Sequence, residues 1–313
     1  MGKRSRVKAR SVEGTPRAEG EVGPREPCPC GSGRRYKACH GNPAGAPAAW
    51  SARPFAGLPG ECDVIAMREF VPSATAPLHL KGSDREVLLC TLLPGAAPAL
   101  VRENGAVWLG LQVQHAYGDP SRDLGAVLEA ALDAEPGTVV GLTADPGDGA
   151  RLQDLVEGDL EVSVHDGFGF WVDDVEDADG SVAAALEQAN AAAAPTARLE
   201  GVEAAYWTSL GDREFLRWVR PEDEDALLDA LARLHAARED HLVEGARLIG
   251  MFRAHGVLAP VWDLPPGTGP EPLTAPVAEF DRRLAETLAD ARPLHTAERA
   301  ARSGLTSRQL TIR

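Results

Sequence analysis

The sequence predicts an α+β protein, in which a short cysteine-rich segment near the N-terminus precedes a larger body of helices and hairpins. Two kinds of periodicity in the body predict this class. Apolar residues alternate on both sides of turn dipeptides such as Asn104-Gly105, which is the pattern of a β-hairpin. Between the hairpins, apolar residues recur with helical spacing, as over residues 227–234. The cysteines and the histidine gathered in residues 28–40 fit neither pattern and form a segment of their own.

The composition indicates a globular chain with an uneven distribution of charge. The 313 residues are 44% hydrophobic and carry a net charge of −15, and a chain of this length can bury a sizeable core. Residues 1–41 hold ten basic and four acidic side chains, so the acidic excess lies in the remainder. A basic segment of this kind can bind RNA or an acidic protein face, or dock on the acidic body of its own chain. The acidic body disfavours binding to duplex DNA.

Residues 28–40 carry the ligand set of a structural zinc site. Cys28 and Cys30 flank one residue, and Cys39 and His40 follow after eight intervening residues. Three thiolates and one imidazole complete a tetrahedral Zn²⁺ site, and four protein ligands leave no open position for catalysis. We therefore predict that these four side chains bind Zn²⁺. The alternatives are a disulfide or two buried cysteines, and a Cys-x-Cys disulfide is strained.

The loop between the two ligand pairs presents a small cationic surface. Arg34, Arg35 and Lys37 would offset the negative charge of a three-thiolate site while remaining exposed, and Tyr36 is the only sizeable apolar side chain there. We predict that these four residues contact a partner, and that binding weakens as salt rises.

Residues 25–41 read Arg-Glu-Pro-Cys-Pro-Cys-Gly-Ser-Gly-Arg-Arg-Tyr-Lys-Ala-Cys-His-Gly and closely resemble the SEC-C motif. That motif is the zinc-binding tail of the SecA preprotein translocase motor, and it is also attached to many unrelated proteins. In SecA the tail docks the secretion chaperone SecB and contacts the ribosome, and elsewhere the motif has been suggested to bind nucleic acid. The whole chain also resembles an actinobacterial family of unknown function. No Gly-x-x-x-x-Gly-Lys-Ser/Thr phosphate loop is present, so the resemblance does not extend to the motor activity.

Composition divides the chain into five regions. We predict a disordered basic tail over residues 1–24, the zinc-binding motif over 25–41, a Pro/Gly/Ala linker over 42–60, an α+β body over 61–290 and a basic C-terminal helix or tail over 291–313. The linker is expected to lie against the body through Trp50 and Phe55.

Local signals predict the elements of the first half of the body in order. We expect a helix over 61–70, a buried strand over 86–93, a hairpin over 99–102 and 107–114, a helix opened by residues 119–121, a strand over 138–142, a short helix over 151–156 and a hairpin over 161–165 and 168–172. Pro72 ends the first helix, Asp119-Pro120-Ser121 is a helix start signal, and Gly167 provides the turn of the last hairpin.

The second half repeats this order. We expect a hairpin over 203–210 and 214–219, a helix that begins at 221–224, a hairpin over 247–255 and 257–264, and a final amphipathic helix over 277–288. Acidic residues at 222–224 suit the positive end of the helix dipole. Because hairpin, helix and hairpin follow one another in both halves, we predict that the body is a duplicated unit.

Several polar clusters in the body are better explained by structure than by chemistry. The acidic run 173–180 fails the calcium-loop pattern and is predicted to be a solvated turn. His235 and His241 lack the four-residue spacing of paired helical ligands, and His235 is predicted to be partly buried. His165-Asp166 is expected at the tip of a hairpin, where aspartate favours turns.

Cysteine usage and hydropathy indicate a cytoplasmic protein. No apolar segment of a secretory signal follows the basic start, and the apolar run 87–101 is interrupted by prolines and too short to span a bilayer. A thiolate zinc site suits a reducing compartment. Cys62 and Cys90 lie in apolar segments and are predicted to be buried small hydrophobic residues.

The predicted function is that of a cytoplasmic zinc-binding adaptor. A zinc knuckle on a flexible linker would dock a protein partner, and the resemblance implies a chaperone, a translocation component or the ribosome. The alternative is an RNA-binding protein that uses the basic tail and the knuckle. An enzyme with an active site in the acidic body is the lesser alternative, since no sequence motif in that body indicates a type of reaction.

Overall fold

Two β-sheets with helices packed on them form the body of the protein, which confirms the predicted α+β class. The computed structural model describes residues 35, 50–112, 118–172 and 180–311. The chain from Ser51 onward clusters as one unit, and residues 1–50 belong to another. No helix in these described ranges is long and apolar enough to cross a membrane.

The first sheet pairs two hairpins side by side. Its strands are β1 (Ala74–Leu80), β2 (Ser83–Cys90), β3 (Ala99–Val101), β4 (Val107–Gly110), β5 (Val139–Val140), β6 (Val156–Glu157) and β7 (Ser163–Val164). The order is β5-β3-β4-β2-β1-β6, and β7 also pairs with β1. Hairpins β1–β2 and β3–β4 are antiparallel, whereas the central pair β2–β4 is parallel. The helices of this half are α1 (Glu61–Glu69), α2 (Pro120–Leu132) and α3 (Leu152–Leu155).

The second sheet has the order β13-β11-β12-β10-β9-β8. Its strands are β8 (Thr196–Arg198), β9 (Ala205–Leu210), β10 (Arg213–Trp218), β11 (Arg247–Ala254), β12 (Val257–Leu264) and β13 (Gln309–Thr311). The helices of this half are α4 (Ser181–Ala192), α5 (Glu224–Ala237), α6 (Thr274–Leu288) and α7 (Thr296–Ser307). Strand β13 runs parallel to β11, and the other pairs are antiparallel.

Most elements with a clear local signal are confirmed. These are α1, β2, β3–β4, α2, β5 and α3 in the first half, and β9–β10, α5, β11–β12 and α6 in the second. Helix α5 begins as predicted, because the Asp223 side chain accepts hydrogen bonds from the backbone N–H groups of Asp225 and Ala226 at 3.0 and 3.1 Å. Strand β2 starts three residues earlier than predicted, at Ser83.

The hairpin predicted over 161–172 is wrong. Strand β7 pairs with β1, and residues 169–171 form a 3₁₀ turn instead of a return strand. Phe168 and Trp171 are both buried in one aromatic cluster, and the Trp171 indole N–H donates to the carbonyl of Thr91 at 2.8 Å. The turn brings these two large side chains to the same place, which an alternating strand would not do.

Strand β1 was missed because Pro77 lies in its centre. The register places Pro77 opposite Leu88 of β2, while β7 pairs with β1 only at 74–75 and β6 only at 79–80. Proline is tolerated in a sheet where its missing N–H would face no partner. The gap between β7 and β6 provides that position. The alanine-rich helix α4 and the short strands β8 and β13 were also missed.

The predicted duplication is wrong for the first half. In both sheets the four hairpin strands lie in the order first, second, fourth, third. However, β2–β4 is parallel and β10–β12 antiparallel, and a helix separates the two hairpins only in the second half. The predicted sequence of hairpin, helix and hairpin therefore describes the second half alone.

The basic segment 291–313 is part of the body over its described residues. Leu305 of α7 is fully buried against the second sheet and its helices, and β13 adds a strand to that sheet. Arg302 pairs with Asp225 and Asp229 of α5 at 2.5 and 2.6 Å. Arg302 of α7 thus neutralises acidic residues of the same chain, and docking on the acidic body is one of the roles expected for a basic segment.

Removing the buried side chain of Leu305 tests this packing. We expect Leu305→Ala to lower the free energy of unfolding by about 2–5 kcal/mol, because it leaves a cavity in the core. The matched change Leu310→Ala, at a side chain that is 63% exposed, should alter it by less than about 0.5 kcal/mol. Urea denaturation of both variants measures the difference, and equal losses would show that α7 is not packed as described.

A buried ionic cluster joins α1 of the first half to the second sheet. Asp63 of α1 is 2% exposed and accepts two hydrogen bonds from Arg198 of β8, at 2.9 and 3.0 Å. The Tyr206 hydroxyl of β9 donates to the same carboxylate at 2.5 Å. Burial, followed by the charge of Asp63, raises the pKa of Tyr206 well above its ordinary value. The hydroxyl therefore remains a donor throughout the physiological range.

Separating this cluster should be costly. Arg198→Ala would leave the Asp63 carboxylate buried without its counter-ion, and we expect a loss of about 3 kcal/mol in the free energy of unfolding. Arg282→Ala removes an arginine from an exposed ion-pair network on α6 and should lower the free energy of unfolding much less, because solvent screens exposed ion pairs. Guanidinium denaturation of the two variants provides the comparison. A similar small loss in both would mean that the cluster does not join the two halves.

Candidate functional site

The predicted zinc ligands Cys28, Cys30, Cys39 and His40 lie outside the described residues, as do the predicted partner contacts Arg34, Tyr36 and Lys37. Arg35 is described and is exposed to solvent. The donor set itself fits zinc, because thiolates and imidazole are the ligands that Zn²⁺ takes in closed structural sites.

The described part of the body holds no group of three or more His, Cys, Asp or Glu side chains arranged to bind a metal ion. Its two cysteines, Cys62 and Cys90, are buried and unpaired, as predicted. Burial raises the pKa of both thiols far above the ordinary value. They are therefore protonated and unsuited to metal binding or to nucleophilic chemistry.

The histidines singled out in the sequence occupy separate environments. His235 is partly buried, as predicted, and its Nδ1 lies 2.6 Å from a carboxylate oxygen of Asp240. His241 is exposed. His165 is not at a hairpin tip; its Nε2 lies 2.8 Å from the Thr75 hydroxyl and its ring packs beside Phe170 at 4.9 Å. Burial lowers the pKa of His165, so the imidazole is neutral at pH 7.

His165 borders an open cleft of about 510 Å³ beside the first sheet. The cleft is lined by His165, Asp166, Gly167, Gly169, Phe170 and Asn190. Asn190 comes from α4, where its side-chain oxygen accepts the Phe168 N–H at 2.8 Å. A Cβ at Gly167 would lie 2.5 Å from that oxygen, so only glycine fits there. Asn190 was missed because no local pattern connects it with His165.

The residues that line this cleft could bind a ligand, but they do not form a complete set of catalytic groups. Its polar groups are an uncharged imidazole, an amide and the Asp166 carboxylate. The hydroxyl nearest to His165 belongs to Thr75, which is 6% exposed and already bonded to that imidazole. For catalysis, a hydroxyl nucleophile that is hydrogen-bonded to a histidine base must also be able to contact a substrate. The Thr75 hydroxyl cannot do so because it is buried.

Residues 51–60, which lead into the body, are fixed by contacts with three other parts of it. Residues 51–60 belong to the predicted linker, yet Phe55 is fully buried and meets the His255 ring edge-on at 5.2 Å. Arg53 donates to Glu61 at 2.6 Å and to the carbonyl of Pro221 at 3.0 Å. The tip of the β11–β12 hairpin lies against this segment, so residues 51–60 belong structurally to the body and Phe55 lies against it as predicted. Trp50, which precedes the segment, is exposed.

The chain is a two-part protein, with a SEC-C segment followed by an α+β body. Matches to known families fall on the same two parts. The SEC-C motif matches residues 25–42. Residues 54–313 match a family of unknown function, DUF5926. This match covers most of the chain, so the protein belongs to the DUF5926 family.

The similarity to SecA is confined to the N-terminal segment. The chain is 61% identical over 31 residues to the protein translocase subunit SecA of Rubrobacter xylanophilus. The match spans 10% of this chain and 3% of that protein. No solved structure matches the chain.

Proposed function

We propose that this protein is a zinc-binding adaptor whose N-terminal SEC-C segment docks a protein partner. The observation that carries the proposal is the local 61% identity to SecA over 31 residues, within which the SEC-C motif supplies three cysteines and one histidine. The partner class follows from that similarity and is a chaperone, a translocation component or the ribosome. The proposed site of action is the cytoplasm.

Zinc would have a structural role in this segment. Cys28, Cys30, Cys39 and His40 would hold the ion with all four tetrahedral positions occupied, so the metal fixes the loop rather than activating water. The loop contains few apolar residues, and metal binding would supply most of its folding free energy, on the order of 10 kcal/mol.

The docking surface would be the cationic loop that the zinc holds in shape. Arg34, Arg35 and Lys37 provide three positive charges around Tyr36, which offers one apolar contact. Such a surface suits an acidic protein face, and attraction between exposed charges is weakened by salt.

The described body supports a division of labour within the adaptor. Two of its arginines near the C-terminus are engaged in ion pairs with its own acidic side chains, Arg302 with Asp229 and Arg292 with Glu298. Residues 1–41, with ten basic and four acidic side chains, carry an excess of positive charge. We propose that residues 1–24 act as a disordered basic tail and that the chain between the motif and Ser51 acts as the linker.

Metal analysis tests the zinc site directly. We expect the purified full chain to contain one Zn²⁺ per chain and Cys28→Ser/Cys30→Ser to contain none, because two of the four ligands are lost. Cys62→Ala/Cys90→Ala is the matched control and should retain the full metal content, since these thiols are buried in the body. Elemental analysis measures the content. A chain without zinc, or one whose zinc survives the Cys28/Cys30 change, would contradict the proposal.

Crosslinking from the native cytoplasm tests the docking surface. We expect Arg34→Ala/Arg35→Ala/Lys37→Ala to weaken capture of the partner about tenfold, which corresponds to about 1.4 kcal/mol. Raising the salt should release the wild-type complex as well. The matched control is Arg213→Ala/Arg247→Ala/Arg282→Ala, which removes three exposed charges from the body and should leave capture unchanged.

Nuclease treatment separates the two partner classes in the same experiment. A protein partner that remains bound after RNase digestion supports the proposal. Loss of all knuckle-dependent capture on digestion would assign the segment to RNA instead. Capture that is equal for the wild type and the knuckle variant would remove the assigned roles of Arg34, Arg35 and Lys37.

A further inference from the structure

We propose that the outer edge of β5 is a docking strand for an extended peptide segment of a partner, one that alternates cationic and apolar residues. This surface belongs to the body and is independent of the zinc segment. It is defined by residues 137–142, read as Gly-Thr-Val-Val-Gly-Leu, and is called the β5 edge below.

The backbone of the β5 edge is paired on one side only. Strand β5 is the last strand of the first sheet and pairs with β3 alone among the described residues. Val101 donates to the carbonyl of Thr138 and accepts from the N–H of Gly137, each at 2.9 Å. Backbone groups in an antiparallel pair alternate between the partner and the opposite side. The N–H and C=O of Val139 therefore face outward.

The side chains of the sheet leave an incomplete row at this edge. On the face that carries the aromatic cluster, the register aligns Pro77, Leu88, Trp108, Leu100 and Val139 across five strands. The last of these, Val139, is 65% exposed. An added strand would place an apolar residue beside Val139 and continue the row, which is how cross-strand pairs stabilise a sheet.

The β5 edge lacks the side chains that usually prevent an added strand. Natural edge strands are kept very short or carry lysine, proline or a bulge to prevent pairing with other chains. Strand β5 itself is only two residues long, but none of the residues 137–142 is charged or a proline, and Leu142 is 63% exposed. An apolar edge without charged residues or proline can accept an extended segment of a partner.

The charge around the β5 edge selects a cationic occupant. No lysine or arginine occurs in residues 123–150, which contain five exposed acidic residues and one buried one, Asp123. A Cβ at Gly137 would lie 2.8 Å from a carboxylate oxygen of Glu103, so that carboxylate sits at the start of the strand. The guanidinium of Arg85, which donates to the carbonyls of Gly105 and Leu132, is one positive charge against these acidic side chains.

The same charge argues against a second copy of the chain as the occupant. Two β5 edges brought together would bring Glu103 at the start of each strand into proximity with the acidic side chains of the other copy, and repulsion between like charges opposes that pairing. A strand with lysine or arginine at alternate positions would direct its charges toward Glu103 and its neighbours and its apolar residues toward Val139. Backbone hydrogen bonds would give affinity, and this alternation would give specificity.

Peptide binding to the full chain tests the docking strand. The probe is the peptide acetyl-(Lys-Val)₃-Lys-amide, compared with a peptide of the same composition in which the three valines are adjacent. We expect the alternating peptide to bind at least tenfold more tightly and to shift the backbone amide signals of residues 137–142 in NMR spectra. Replacement of its lysines by glutamates should abolish binding.

Two variants of Val139 separate backbone pairing from simple attraction between charges. Val139→Pro removes the outward N–H and should weaken binding at least tenfold, since proline at such a position spares the bonds to β3. Val139→Lys keeps the N–H but opposes a cationic strand and should weaken binding similarly. Thermal melting confirms that each variant is folded.

Two further variants complete the design. Leu310→Ser removes an exposed apolar side chain from the edge of the other sheet and should leave binding unchanged. Cys28→Ser/Cys30→Ser should also bind normally, which distinguishes this surface from the zinc segment. Binding as tight as that of the wild type by folded Val139→Pro or Val139→Lys, equal binding of both peptide orders, or no binding at about 1 mM peptide would overturn the proposal. A dimer of the chain that Val139→Lys abolishes would also overturn it in favour of self-pairing.

Discussion

The buried contact of Asp63 with Arg198 and Tyr206 is the constraint on which the arrangement of the body depends. A carboxylate that is 2% exposed loses its hydration, and the loss is offset only while a counter-ion and hydrogen-bond donors remain in place. Asp63 belongs to α1, whereas its partners belong to β8 and β9 of the other sheet. Any movement of one half relative to the other would expose the Asp63 carboxylate to water or separate it from Arg198 and Tyr206. The apolar core is continuous across the same junction, since Tyr206 and Val257 of the second sheet are packed with Ile65 of α1. Hydrophobic burial supplies the attraction between the halves, and the directional ionic contacts select one relative position.

The elements that sequence reasoning identified are those whose determinants are close together in the chain. The hairpin at Asn104-Gly105 and the helix that starts at Asp223 each contain their own turn or cap signal. The misses depend on distant parts of the chain. Pro77 is acceptable in β1 only because β6 and β7 leave a gap beside it, and β13 is a strand only because β11 accepts it. The alternation over 161–172 looked like a hairpin, but burial of Phe168 and Trp171 in one cluster decided its conformation. Tertiary contacts outweighed local pattern in each of these cases.

The same distinction applies to the candidate sites. A zinc ligand set is predictable because its residue types and spacing are contained in 13 consecutive residues, 28–40. The cleft beside His165 was not predictable, because Asn190 comes from a helix that the sequence did not reveal. The β5 edge needed the strand order, since a valine pair is ordinary until the sheet is known to end there. Charge was partly predictable: the basic excess near the C-terminus was visible, but the pairing of Arg302 with Asp225 and Asp229 of α5 required the structure.

The parallel pairing of β13 with β11 has a consequence for biosynthesis. Among the residues that the structure describes, the last strand of the first sheet ends at Val164, whereas residues 309–311 complete the second sheet. During translation the first sheet has all its strands while roughly half of the chain is still to be made, as expected when domains form from the N-terminal end. Strand β11 must then wait with one edge open until α7 and β13 emerge. The interval leaves a nascent chain with a partly assembled second half, in which the row of Met251, Phe252 and Arg253 lacks its neighbour.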